Sequence, residues 1–315
     1  MFGFLGNTST GALSSAAGSP FNNGANPVAA AITPSGTFLY VANSTANALA
    51  IYSINASTGA LTAAGSIAST GAFPSSIAID PSGRFLYEAN QDSNTISSFT
   101  INSSTGALTQ SGANLATGPA PVSVAVDGTG TFVYAANDAS AGSVSAYLIN
   151  SGGSLTPVSG SPFAAGSNPT SVAADPLAGF LYVANSLSNT ITAYKINAST
   201  GALGLINSFA TDATPEGIAI SRSGGFLYSA DNGANNVDAF TINSSTGALS
   251  QVGSIAAGAG PIALTVDQTS SFVYVANASA NSVSGFTINS STGALTSIGS
   301  ATPVGSNPVF VVTQP

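Results

Sequence analysis

Carboxylates are the only side chains in this sequence with the right chemistry for acid–base work at neutral pH. There are eleven acidic residues against three cations, Arg84, Lys195 and Arg222, with no histidine and no cysteine. A Ser-His-Asp or Cys-His arrangement is therefore excluded, as is a thiolate metal site. Four of the acids, Asp80, Asp127, Asp175 and Asp267, fall at one position of a repeat, beside a turn. Aspartate oxygens accept hydrogen bonds from nearby backbone, so these four read as turn caps. Calcium is their rival reading, but the Asp-x-Asp-x-Asp spacing of a calcium loop is absent. Glu88 stands where related segments carry an apolar or small residue, and Arg84 lies four residues before it. Residues four apart on a strand share a face, so the pair reads as an ion pair at a strand end. Asp92, Asp138, Asp212, Glu216, Asp231 and Asp238 are scattered over different repeat positions, and most of them read as solvated loop residues. On this reading the sequence assigns no catalytic residue, no cofactor and no metal ligand.

The elements that would position these groups repeat. Phe38-Leu39-Tyr40-Val41-Ala42-Asn43 returns as Phe85 to Asn90, Phe132 to Asn137 and Phe180 to Asn185, and more loosely as Phe226 to Asp231 and Phe272 to Asn277. The tyrosines step by 47, 47, 48, 46 and 46 residues, a period that marks stacked supersecondary units. Each unit holds four strand-like runs. The first follows a proline, at Pro27, Pro74, Pro121, Pro169, Pro215, Pro261 and Pro308. Proline suits a strand's first position, where its missing N–H costs no ladder bond. A turn such as Asp80-Pro81-Ser82-Gly83 leads into the Phe-Leu-Tyr run. A third run alternates with period two, as in Ile96-Ser97-Ser98-Phe99-Thr100-Ile101. The hairpin Asn55-Ala56-Ser57-Thr58-Gly59-Ala60-Leu61 and its copies then lead to a fourth strand.

Four antiparallel strands in each of seven units predict an all-β, seven-bladed β-propeller. The Phe-Leu-Tyr-Val-Ala-Asn core, the Pro-Ser-Gly turn and the Thr-Gly-Ala-Leu hairpin resemble the YVTN-type repeats of the lactonase-like (6-phosphogluconolactonase-like) propeller family, over essentially the whole chain. That resemblance implies a ring closed by a terminal blade shared between the N- and C-termini, and a sugar lactone as substrate. A phosphosugar lactone needs cations around its phosphate, and Arg84, Lys195 and Arg222 occupy three unrelated repeat positions. No catalytic set of the family transfers residue by residue.

The expected layout is one domain over 1–315, with six full repeats over about 27–306 and a seventh blade from 1–20 plus 307–315. That last blade lacks its second strand. The open edge invites three explanations: a three-stranded blade or an upstream strand, a strand from another molecule, or a six-bladed ring with loose ends. Phe2, Phe4, Leu5, Val309, Phe310, Val311 and Val312 are the candidates for closing or exchanging it.

Charged residues make up 4% of the chain and the net charge is −8. Clustered cations are missing, which argues against nucleic acid and anionic membranes as partners. No apolar run approaches 18 residues, which argues against membrane insertion, and the first residues lack the basic start of a signal peptide. Eight glycosylation sequons occur, at Asn7, Asn43, Asn55, Asn102, Asn197, Asn243, Asn277 and Asn289. Together these features lead the sequence to predict a non-catalytic, extracellular or cell-surface structural propeller. Its partner would be itself, the incomplete blade joining copies into fibres or matrix. A glycan- or protein-binding module is the first alternative and a sugar-lactone hydrolase the second.

Overall fold

The computed structural model describes residues 1–68, 71–177 and 179–314. It is an all-β propeller of mainly four-stranded antiparallel blades, six of them complete. Blade one runs Pro27–Ile32, Phe38–Asn43, Ala48–Ile54 and Leu61–Ala68. Blade four, Pro169–Ala174 to Leu203–Ala210, and blade five, Pro215–Ile220 to Leu249–Ala256, repeat it with the same strand order. In blades two, three and six the outer edge is split into two short strands, both paired with the third strand. First strands pack against one another in sequence from blade one to blade six. Each begins at its proline at one mouth of the central channel and ends at the turn at the other.

The second strands are buried on both faces, which is why they read as continuous apolar runs. Phe38, Tyr40 and Ala42 pack with Ile77, Leu86 and Phe99 of blade two, while Leu39 and Val41 belong to a different cluster. Burying each such side chain contributes about 1.5–3 kcal/mol. All nine tyrosines donate their hydroxyls to backbone carbonyls. Six of them reach the hairpin glycine of the following unit: Tyr40 to Gly106, Tyr87 to Gly153, Tyr134 to Gly201, Tyr182 to Gly247, Tyr228 to Gly293 and Tyr274 to Gly11. Burial pushes the Tyr40 hydroxyl up to about 12, so it remains a donor across the physiological range. These glycines hold positive φ, and a Cβ on Gly247 would lie 2.4 Å from the Phe180 ring.

The expected terminal blade is corrected in part. Phe4–Gly6 and Leu13–Ser15 form a separate two-stranded sheet, and residues 307–314 form no strand, since no middle strand is present to pair with them. The C-terminal segment nevertheless lies between blades six and one. Asn307 N–H donates to Asn281 Oδ1 (2.7 Å), Thr313 Oγ1 donates to Val266 O (3.3 Å), and Gln314 Nε2 donates to Gly36 O (3.0 Å). Phe310 packs with Leu39, Val41 and Met1, and Val311 packs with Phe272, Tyr274 and Leu13. Phe2 and Phe4 stack on each other at 6.5 Å, Leu5 lies beside Gly59, and Val309 is half-buried. The closure candidates thus divide between the hairpin and the segment beside the channel.

Candidate functional site

The turn aspartates are occupied by the fold. Asp80 Oδ1 accepts from the N–H groups of Arg84 (2.7 Å) and Phe85 (2.6 Å), and Asp127 and Asp267 do the same in their blades. Glu88 is fully buried in its strand, opposite Ser97. The expected ion pair with Arg84 does not form. Arg84 precedes the strand, donates from Nε to Ser82 Oγ (2.9 Å) and lies over the Phe85 ring. Sequons Asn43 and Asn277 are buried, so no glycan fits there in the folded chain. The other six sit on exposed hairpins.

Two acids lie within electrostatic reach of each other at the proline mouth of the channel. Glu216 follows Pro215 on the innermost strand of blade five, and Asp138 follows the second strand of blade three. Burial raises the Glu216 carboxyl above its ordinary range, and the charge of Asp138 raises it further. Burial also raises Asp138. At the Glu216 position Ser75 and Thr170 donate to the next blade's proline carbonyl, at 2.7 and 2.9 Å. Glu216 lacks any such hydroxyl and has no hydrogen-bond partner among the described residues. It is a half-buried carboxylate at the mouth with a second acid for a neighbour.

Blade five departs from the repeat at three further positions. Where the other units carry Gly24, Gly71, Gly118, Gly166, Gly258 and Gly305, it carries Asp212. Where complete blades end their second strand in asparagine, it carries Asp231, and where they place Ala50, Ser97, Ser145, Thr192 or Ser284, it carries Asp238. In blade two the Asn90 amide donates to Ser97 Oγ (2.8 Å), and in blade four Asn185 donates to Thr192 Oγ1 (2.9 Å). Asp231 and Asp238 have no amide hydrogens to offer each other. Ser229 Oγ donates to Asp231 Oδ1 (2.7 Å) and the Asp212 N–H to Asp238 Oδ2 (2.9 Å). Asp212 Oδ2 takes the Asn236 amide. Among the described residues Asp231 Oδ2 and Asp238 Oδ1 have no hydrogen-bond partner although both side chains are fully buried. Burial, with added repulsion from Asp238 and Asp212, pushes the Asp231 carboxyl up to about 8 against the opposing Ser229 hydrogen bond. The shift favours the protonated form of Asp231.

Most of the scattered acids were expected to be solvated loop residues, and the structure instead buries Asp231 and Asp238 fully and Asp138 and Glu216 partly. The signal was available in the repeat columns: aspartate replaces glycine, asparagine and a hydroxyl residue within one blade.

The opposite mouth, at the turns, opens into a cavity of about 450 Å³ lined by apolar ends of first strands and by Arg222. The three cations are not brought together. Lys195 is exposed on the third strand of blade four, far along the sequence from the Arg84 turn of blade two.

A family model described as lactonase, 7-bladed beta-propeller, matches residues 8–126, 117–216 and 205–313. The chain belongs to this lactonase propeller family. Among solved structures, a provisionally assigned 6-phosphogluconolactonase from Bacteroides uniformis superposes with a TM-score of 0.85 at 20% identity, covering 98% of this chain and 93% of the other. A similarly assigned protein from Bacteroides fragilis gives 0.82 at 22%, covering 98% and 92%. The periplasmic gluconolactonase of Pseudomonas aeruginosa gives 0.80 at 17%, covering 96% and 92%. At these identities the likeness speaks for the fold alone. No curated protein matches the sequence. Membership of the lactonase family overturns the expectation of a non-catalytic structural propeller assembling into fibres or matrix, and with it the expectation that the chain is not an enzyme. That expectation leaned on the absence of clustered cations, which a neutral sugar lactone does not need.

Proposed function

We propose that this chain hydrolyses a sugar lactone at the proline mouth of its channel, with Glu216 as the general base. The observation that carries this reading is Glu216, a half-buried carboxyl on the innermost strand at the channel mouth, raised by burial and by the charge of Asp138. Hydrolysis of a lactone needs a water proton removed as its oxygen attacks the ring carbonyl. It then needs a proton delivered to the ring oxygen as the carbonyl–oxygen bond breaks. A carboxylate with a raised pKa is a stronger base, and once protonated it is a ready donor. Glu216 takes the water proton and then, as the acid so formed, returns a proton to the departing ring oxygen, while the charge of Asp138 keeps the Glu216 carboxyl raised. The product is the open-chain hydroxy acid. Family membership supports the reaction class, and the absence of a cation cluster favours an uncharged lactone over a phosphorylated one.

The N-terminal hairpin and residues 307–314 are read as two sides of a seventh blade. The Tyr274–Gly11 bond, equivalent to those between complete blades, and the Asn281–Asn307 bond at the channel support this.

The test is hydrolysis of glucono-1,5-lactone, followed as acid release above the spontaneous rate, by the wild-type chain and by Glu216→Gln. A loss of about 100-fold or more with an unchanged melting curve is expected. Full activity in the variant would remove Glu216 from the mechanism. Absence of wild-type activity on a panel of uncharged aldonolactones would remove the reading itself.

A further inference from the structure

The turn mouth carries a second departure of blade five, independent of the acids at the proline mouth. The first residue pair of each turn reads Thr33-Pro34, Asp80-Pro81, Asp127-Gly128, Asp175-Pro176, Ser221-Arg222 and Asp267-Gln268. Blade five has lost the aspartate found in four of the other five turns and gained a cation beside the vacated position. The fold does not require the loss. Ser221 Oγ accepts from the Phe226 N–H at 3.0 Å, the same task that Asp80 performs for Phe85. Its consequence is electrostatic, because no carboxylate remains next to Arg222 on its own turn.

The backbone of Arg222 is held while its side chain is exposed and unpaired among the described residues. Its N–H donates to Ser270 Oγ of blade six (2.9 Å), and its guanidinium has no hydrogen bond or ion pair among the described residues. It stands on the rim of the 450 Å³ cavity, a volume within the range of small-molecule pockets. No acidic side chain lines that cavity. Its walls are apolar, with Ile32, Ile79, Val266 and Val312 among them, and Thr265 and Gln268 add neutral polar groups. A site with one guanidinium above hydrocarbon walls suits an anion with a hydrocarbon body. It suits a bare inorganic anion poorly, because such an anion would leave the walls unfilled and lose its hydration for a single contact.

We infer that the turn mouth of the channel binds a small organic carboxylate, its carboxylate on Arg222 and its apolar body against the ends of the first strands. The site lies at the other end of the channel from Glu216 and stands whether or not the chain hydrolyses lactones.

The test is titration calorimetry of the full chain with hexanoate, hexanamide and inorganic phosphate as probes. Saturable hexanoate binding is expected. It should be weakened at least tenfold in Arg222→Gln, as expected for the loss of a charge-assisted hydrogen bond, and at least tenfold in the uncharged amide. Glu216→Gln should bind hexanoate as the wild type does. Arg222 is exposed on a turn, so an unchanged melting curve for Arg222→Gln is the folding control. Four outcomes overturn the inference: no saturable hexanoate binding, equal binding by Arg222→Gln, phosphate binding as tight as hexanoate, or loss of binding in Glu216→Gln, which would put the probe at the other mouth.

Discussion

Blades four and five are adjacent, have the same strand order and the same register bulge between third and fourth strands, and differ at the proline end of one seam. Blade four closes that end with Gly166, Asn185 and Thr192. The Gly166 N–H donates to Asn185 Oδ1 (3.1 Å), the Asn185 amide donates to Thr192 Oγ1 (2.9 Å), and a Cβ on Gly166 would strike Asn185 at 2.6 Å. Blade five puts Asp212, Asp231 and Asp238 in the same places and leaves two fully buried oxygens without partners among the described residues. Unpaired buried Oδ1 atoms also occur at Asn43, Asn137 and Asn277, so what sets blade five apart is that it buries carboxyl groups where the other blades bury neutral amides and hydroxyls. The same blade carries Glu216 at the channel and Arg222 at the far mouth. Within a ring of near-copies, the blade that departs from the pattern is where binding and catalysis are to be sought.

The largest stability effect should come from the part of blade five that still follows the repeat. Gly247 has φ +72° and its Cβ would press on the Phe180 ring. Gly247→Ala is expected to cost about 2–5 kcal/mol in denaturant unfolding, from left-handed backbone strain together with overpacking. A loss under about 1 kcal/mol would mean that this hairpin is not held as tightly as its copies.

At the departing corner, Asp231→Asn restores the residue of the other blades and should stabilise the chain by about 1–3 kcal/mol at pH 8. The pH dependence has a definite sign. Because the folded pKa of Asp231 is raised, its favourable contribution is complete below its ordinary value of 3.8 and is lost as pH rises towards about 8. Wild-type stability should therefore decline across that window, and the decline should be shallower in Asp231→Asn. Parallel slopes for the two proteins would show that Asp231 does not carry the proton.

The smallest effect expected is that of Asp138→Asn, a few-fold in rate. Removing the negative charge that raises Glu216 should move the rise of lactonase activity with pH to lower pH. A change in rate with no displacement of the profile would separate Asp138 from Glu216.

Much of the fold was legible because individual residues do the same job in each unit. Pro27 and its copies open strands, Gly59 and its copies turn hairpins, and Asp80, Asp127 and Asp267 cap turns, all through local bonds that a sequence window contains. The site was less legible for two physical reasons. Asp138 and Glu216 lie 78 positions apart in the chain and come within electrostatic reach only when the ring brings blades three and five to one mouth. Asp212, Asp231 and Asp238 look like ordinary loop acids when taken singly; their burial becomes evident only when each is set beside the glycine, asparagine and serine of the other blades. Closure was misjudged because residues 307–314 hold their place by side-chain bonds and packing, without a ladder.

The tyrosine–glycine bonds all point the same way around the ring, each blade fastening the rim of the next. Gly59 of blade one alone among the hairpin glycines receives no such tyrosine, and Leu5 and Ala16 lie there instead. The seam between the N-terminal hairpin and blade one therefore lacks the buried tyrosine–glycine latch of the others. Breathing of the disc should start at that seam, so amide hydrogens around Gly59 and in the hairpin would exchange with solvent ahead of those at the five seams between complete blades.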